Sequence, residues 1–259
     1  MRSTRDPPRC YGRPFTLKPV ALVALALIAI LLGLVSGRLL RLAARTRQWP
    51  ELLLGLSTSL PLAGYVFGLV GAAIGRGVPA GWVTEIAGGL VDLGFTATVG
   101  FVWLVFRRDE RWAKVFSALL VITLLAMPLV NHLVPWEHGV PSALVPRSVL
   151  RTLCYAWAAI ESLSYARMMR RRVRFGLAEP MLADRFSLWG FTHVCFALML
   201  MLIMFGVRLH LSGADFARLF TFAGFFMGIL GAIPLMLSFF PPERYARFVE
   251  TQYRLEGAQ

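Results

Sequence analysis

Six arginines, Arg167, Arg170, Arg171, Arg172, Arg174 and Arg185, fall within residues 165–190, in one connection between two long apolar runs. Basic clusters beside apolar runs stay on the cytoplasmic side during insertion, so this cluster sets the sidedness of every other loop. A chain of this kind folds as a bundle of membrane-crossing helices. Of its 259 residues, 57% are hydrophobic and 16% charged, with a mean hydropathy of +0.64. That is far more apolar surface than a soluble domain of this length can bury.

The net charge of +13 does not point to nucleic acid, because the basic residues sit at the ends of apolar runs and not on one water-facing surface. The expected partner is the lipid bilayer. Cys10, Cys154 and Cys195 are isolated, so neither a disulfide framework nor metal spacing follows.

Residues 1–18 are basic and hold Pro7, Pro8 and Pro14, which predicts a flexible tail. Seven helices are expected, at about 19–36, 51–74, 81–106, 114–134, 147–168, 186–208 and 215–239. A signal peptide is the rival reading of the first run, but no small-x-small cleavage site with a polar start follows it. Residues 241–259 form a cytoplasmic amphipathic tail; Tyr245, Phe248, Val249 and Tyr253 on helical spacing predict a short helix on the membrane surface.

Seven crossings put the loops bearing Arg38, Arg41, Arg45 and Arg47, then Arg107, Arg108, Arg111 and Lys114, on the side of the 165–190 cluster and the C-terminus. The expected topology is N-out and C-in, against the basic N-terminal tail. The sequence ERWAK at 110–114 returns as ERYAR at 243–247, an offset of 133, and the start of helix 2 has a looser counterpart at helix 6. Helices 1–3 and 5–7 then read as parallel repeats joined by helix 4.

This three-plus-one-plus-three plan is similar to that of SWEET-type sugar transporters and remotely to the seven-helix plan of rhodopsins. The residues do not carry either family. The only lysines are Lys18 and Lys114, so a retinal Schiff base in helix 7 is excluded on residue type, and no Pro-Gln pair marks a PQ-loop transporter. The segments RFGLAEPMLADRFSLWG (174–190), TRQWPE (46–51) and RWA (111–113) resemble uncharacterised bacterial seven-span inner-membrane proteins. That resemblance implies a multi-pass protein of the bacterial inner membrane and no activity.

Ionisable groups at membrane depth cost about 2.5–3.5 kcal/mol each on insertion scales, so each should face the bundle interior and find a partner. Glu85, Arg151 and Arg218 fall in one outer layer, and Glu85 and Arg218 are separated by the repeat offset. They read either as a structural charge pair near the interface or as the mouth of an anion-binding cavity. Asp92 lies two turns deeper on the face of Glu85, where no basic residue matches its depth. It is expected to be protonated and bonded to Ser57 or Ser59, or to line a wet cavity.

Glu161 and His193 lie at one depth on sequential helices, so they are expected to meet, as a structural hydrogen bond or a proton-passing pair. His132, His138 and His210 are predicted toward the outer side, no His-Cys cluster exists, and neither a metal nor haem is expected. Gly64, Gly68, Gly71 and Gly75, with Gly224, Gly228 and Gly231, form small-residue stripes for tight packing within the bundle or, alternatively, a homo-oligomer contact.

No nucleophile-base pair or phosphate loop points to an enzyme. Two functions remain. In the first, a polar cavity binds or translocates a small molecule, with Asp92, Glu161 and His193 as cavity or proton-coupling groups. In the second, a sensor or scaffold docks a cytoplasmic protein through Arg170, Arg171, Arg172, Arg174, Glu179 and Asp184.

Overall fold

The computed structural model describes residues 19–74, 81–133, 144–209, 219 and 222–257. Among them every regular element is helical: α1 (Pro19–Thr46), α2 (Trp49–Ile74), α3 (Gly81–Phe106), α4 (Arg111–Leu133), α5 (Leu144–Arg174), α6 (Pro180–Arg208), a π-helical turn (Ala223–Met227) running into α7 (Gly228–Phe239), and α8 (Glu243–Gly257). The N-terminal tail, His138, His210 and Arg218 lie outside the described residues.

Five helices contain stretches long and apolar enough to cross a membrane: Ala26–Thr46, Trp49–Gly71, Gly81–Phe106, Arg111–Val130 and Pro180–Gly206. The chain is therefore a multi-pass membrane protein. At 31 residues, α5 has the length to cross, about 46 Å at 1.5 Å per residue, but Arg147, Arg151 and Glu161 interrupt its apolar run. The 12 residues of α7 are too short alone.

Several helices outrun their expected ends. The Arg-rich stretch after residue 168 continues α5 to Arg174, and α6 begins at Pro180 and not at 186. Arg, Met and Val do not stop a helix in water; the stop comes where Gly176 takes φ 68° and Pro180 occupies the first position of α6. The expected 165–190 loop is thus a long helical hairpin with a short turn. Likewise, Arg38, Arg41 and Arg45 belong to α1, which ends where Arg47 turns left-handed (φ 55°).

The helices close a ring in the order α1, α2, α3, α5, α6, α7 and back to α1, while α4 lies outside it against α3 and α5. Leu119, Ile122 and Leu129 of α4 and Val23, Ile30 and Leu34 of α1 are exposed, as lipid-facing residues are, whereas Asp92 is 1% exposed at the interior. Gly64 and Gly71 face α3, Gly228 faces α1 and Gly231 faces α6, so these small residues serve packing inside the ring. Arg38 donates to the Phe239 carbonyl and lies 4.7 Å from the Phe240 ring. With Arg107 meeting Glu161, the C-terminal half of α1, the last turns of α3 and α7 and the Glu161 level of α5 gather on one basic side.

On that side α8 packs against the α5–α6 hairpin. Its Tyr245 hydroxyl donates to Asp184 of α6 at 2.6 Å, Val249 is 4% exposed, and Tyr253 packs on Ala166, Met169, Ala183 and Phe186. Tyr245, Val249 and Tyr253 of α8 are covered by the α5–α6 hairpin, whereas Phe248 is 58% exposed. Burial first, and then the bond to Asp184, hold the Tyr245 phenol above its ordinary titration range. Tyr245→Phe is expected to cost about 1 kcal/mol, raising amide exchange across residues 243–257 about five-fold. Unchanged exchange would show that this bond does not hold α8.

Candidate functional site

Two ionic clusters lie along the contact of α3 with α5. The first joins α3 to α5. Glu85, Gly88 and Asp92 share one face of α3, and Arg147 and Arg151, four residues apart, share the facing stripe of α5. Arg151 donates Nε to Asp92 Oδ1 at 2.9 Å and Nη2 to the same oxygen at 2.7 Å, with a further 3.3 Å contact from Nη2 to the Gly88 carbonyl. Its guanidinium lies 5.7 Å from the Phe95 ring.

Arg147 approaches from the other side, Nε 3.0 Å from Asp92 Oδ2, an ion pair without an aligned hydrogen bond; its Nη2 has no hydrogen-bond partner. Glu85 acts electrostatically on both Asp92 and Arg147. Two carboxylates and two guanidiniums sum to zero charge, which lowers the cost of keeping four ionisable groups in the interior.

Two expectations are corrected here. Asp92 does have basic partners at its depth, two of them, and not Ser57, whose hydroxyl donates to the Leu54 carbonyl. Arg151, placed in the Glu85 layer by counting residues, reaches down to Asp92 on its long arm. Arg147 was not singled out from sequence, since the expected helix began at that residue. In the structure α5 begins at Leu144 and turns Arg147 inward. The four-residue spacing of the two arginines was the available signal.

The second cluster lies at the basic end. Arg107, just past α3, donates Nε to both oxygens of Glu161, at 3.0 and 2.9 Å, and Nη1 to Glu110 at 2.5 Å. The indole of Trp157 adds a bond to Glu161 at 3.2 Å, and the indole of Trp112 bonds Glu110. Bonds to Glu110 and then Glu161 raise Arg107 above its ordinary value; the bond from Arg107, then that from Trp112, lowers the Glu110 carboxyl. Glu161 therefore takes an arginine in place of the expected His193, because a cation offers a buried carboxylate more than a neutral imidazole does.

Between the clusters the interior is aromatic. Tyr155 packs against Phe95 (ring centroids 4.6 Å) and His193 (5.7 Å), and His193 Nδ1 lies 2.7 Å from the Trp189 carbonyl. That carbonyl can only accept, so Nδ1 carries the proton. Thr192 donates to the Gly231 carbonyl at 2.9 Å and Trp189 to Ser238 at 2.9 Å, tying α6 to α7. A groove of about 360 Å³, lined by Leu40, Ala43, Arg47, Trp49 and Leu52 among others, sits at the α1–α2 corner, away from both clusters. No group of three metal-ligating side chains occurs among the described residues.

Of the docking candidates, Arg170 bonds Ser187 at 2.9 Å and Asp184 is occupied by Tyr245. Arg171, Arg172, Arg174 and Glu179 are exposed. No protein-family model, curated protein or solved structure matches this chain.

Proposed function

We propose that the chain crosses a bacterial inner membrane seven times, N-terminus out and C-terminus in the cytoplasm, and translocates a small molecule through the interior of the ring. In this reading α5 makes a sixth crossing with its charges turned onto α3, and the π-helical turn with α7 belongs to a seventh. Helices α1–α3 and α5–α7 act as parallel repeats joined by α4. The ring order supports this, because the α3–α5 junction then corresponds to the α7–α1 junction, and ERWAK and ERYAR each follow the third helix of a half.

The observation that carries translocation is Asp92, 1% exposed and held by two guanidiniums, one of which keeps an unfilled donor. The cluster is neutral as a whole, and a guanidinium with spare donor capacity suits an anionic group of a solute. The clusters serve as gates. Protonation of Asp92 frees Arg147 and Arg151, protonation of Glu161 frees Arg107, and Tyr155 with His193 lies between.

The test is proteoliposome uptake with an internal pH dye and a panel of small carboxylates, amino acids and inorganic phosphate. Saturable, proton-linked uptake of one class is expected, and Glu161→Gln should cut it about ten-fold or more without unfolding, since Arg107 keeps Glu110. Folded protein that moves no member of the panel would overturn the proposal. A sensor or scaffold is the second reading, favoured by the exposed tip of the α5–α6 hairpin.

A further inference from the structure

The two oxygens of Asp92 are not equivalent. Oδ1 accepts both bonds from Arg151, at 2.9 and 2.7 Å, while Oδ2 is enclosed and has no hydrogen bond, only the ion pair with Arg147 Nε at 3.0 Å. Arg147 is the matching loose end: its Nε and Nη2 are both enclosed and both without a hydrogen bond. Arg151, by contrast, also holds the Gly88 carbonyl. A proton on Oδ2 therefore breaks no hydrogen bond. It takes away the charge that both arginines face, but Arg151 keeps its bonds to Oδ1 and to Gly88, and Arg147 Nε is left with nothing to hold it there.

The groups that act on Asp92 or on its neighbours come from three helices. Arg147, Arg151 and Cys154 belong to α5 and Glu85 to α3; Tyr155 faces Tyr65 of α2, and α4 has no titratable side chain from Val115 to Val130. Among the described residues, then, the charge here is that of Glu85, Asp92, Arg147 and Arg151, which sums to zero. An anion entering alone would leave one uncompensated negative charge in the interior, whereas an anion entering with a proton leaves none.

Given translocation through the ring, on which this depends, we propose that the solute is a singly charged anion that enters with one proton, the proton settling on Asp92 Oδ2 and the anion on Arg147. One proton from the water forms the O–H bond at Oδ2, the ion pair of Arg147 with Asp92 is lost, and a pair between Arg147 and the solute replaces it. Cluster and cargo together are neutral before and after loading. Arg151 stays on Oδ1 and keeps Asp92 in place, so the two arginines, four residues apart on α5, have separate tasks. A doubly charged anion would leave one negative charge uncompensated for the same proton.

The test uses the full chain in proteoliposomes, with uptake by empty liposomes subtracted, and lactate, glutamate, inorganic phosphate and the dianion succinate as probes. A potassium gradient with valinomycin sets the membrane potential. Accumulation of a singly charged probe is expected to rise about ten-fold for each unit of inward pH difference, and to be the same at zero potential and at about 100 mV inside negative. Entry with one net charge would instead change accumulation about fifty-fold between those potentials. Arg147→Lys keeps the charge but not the fork, and should raise the half-saturating concentration about ten-fold at an unchanged ratio of one proton per anion. Accumulation that follows the potential, a preference for succinate, or unchanged half-saturation in Arg147→Lys would overturn this inference and leave translocation standing. Folded protein that takes up none of the probes would overturn both.

Discussion

Asp92→Asn is expected to lower the unfolding free energy of the protein in detergent by about 3–5 kcal/mol, because it leaves two buried guanidiniums with one carboxylate fewer than they need. Asp92 sits at 1% exposure with Arg151 at 2.7 Å and Arg147 at 3.0 Å, so both guanidiniums lose a carboxylate in direct contact. Removing one charge of each sign together, as Asp92→Asn with Arg151→Gln, should recover much of that loss, since Glu85 and Arg147 then remain as opposite charges. Denaturant titration of the single and double variants decides the matter. A single-variant loss below about 1 kcal/mol would mean that the cluster is hydrated and contributes little to the fold.

Gly94→Ala should cost about 3 kcal/mol. A Cβ at Gly94 would overlap Cδ and Cγ of Pro61 and lie 3.2 Å from its nitrogen. The pyrrolidine ring cannot swing aside, so α2 and α3 must separate, which places the cost at the upper end of overpacking. Gly89→Ala on the same helix meets nothing within 4 Å and should be neutral or gain up to about 1 kcal/mol. Equal unfolding midpoints for the two variants would refute the close approach of α2 and α3.

The sequence carried the helical character and the basic side of the molecule, because apolar run length and arginine placement are local properties. Partner identity was not local. Residue counting gave the depth of Glu161 and His193 but not the rotation of α5 and α6, so it could not show that Glu161 turns to Arg107 and His193 to the Trp189 carbonyl. The length of the Arg151 side chain carries its charge away from the depth of its Cα, and the inward direction of Arg147 depends on α5 starting at Leu144. Helix α8 was legible as amphipathic from Tyr245, Val249 and Tyr253, but an apolar stripe does not say whether lipid or protein covers it.

A mechanical property follows from α5 being unbroken. Past Pro146 in its first turn it contains no proline, and it bears Arg147 and Arg151 at one ionic cluster, Tyr155 in the middle, Glu161 at the other cluster and Arg174 at the hairpin tip. From Arg147 to Arg174 it spans about 40 Å. One unbroken helix therefore fixes the spacing between the two ionic clusters and the hairpin turn.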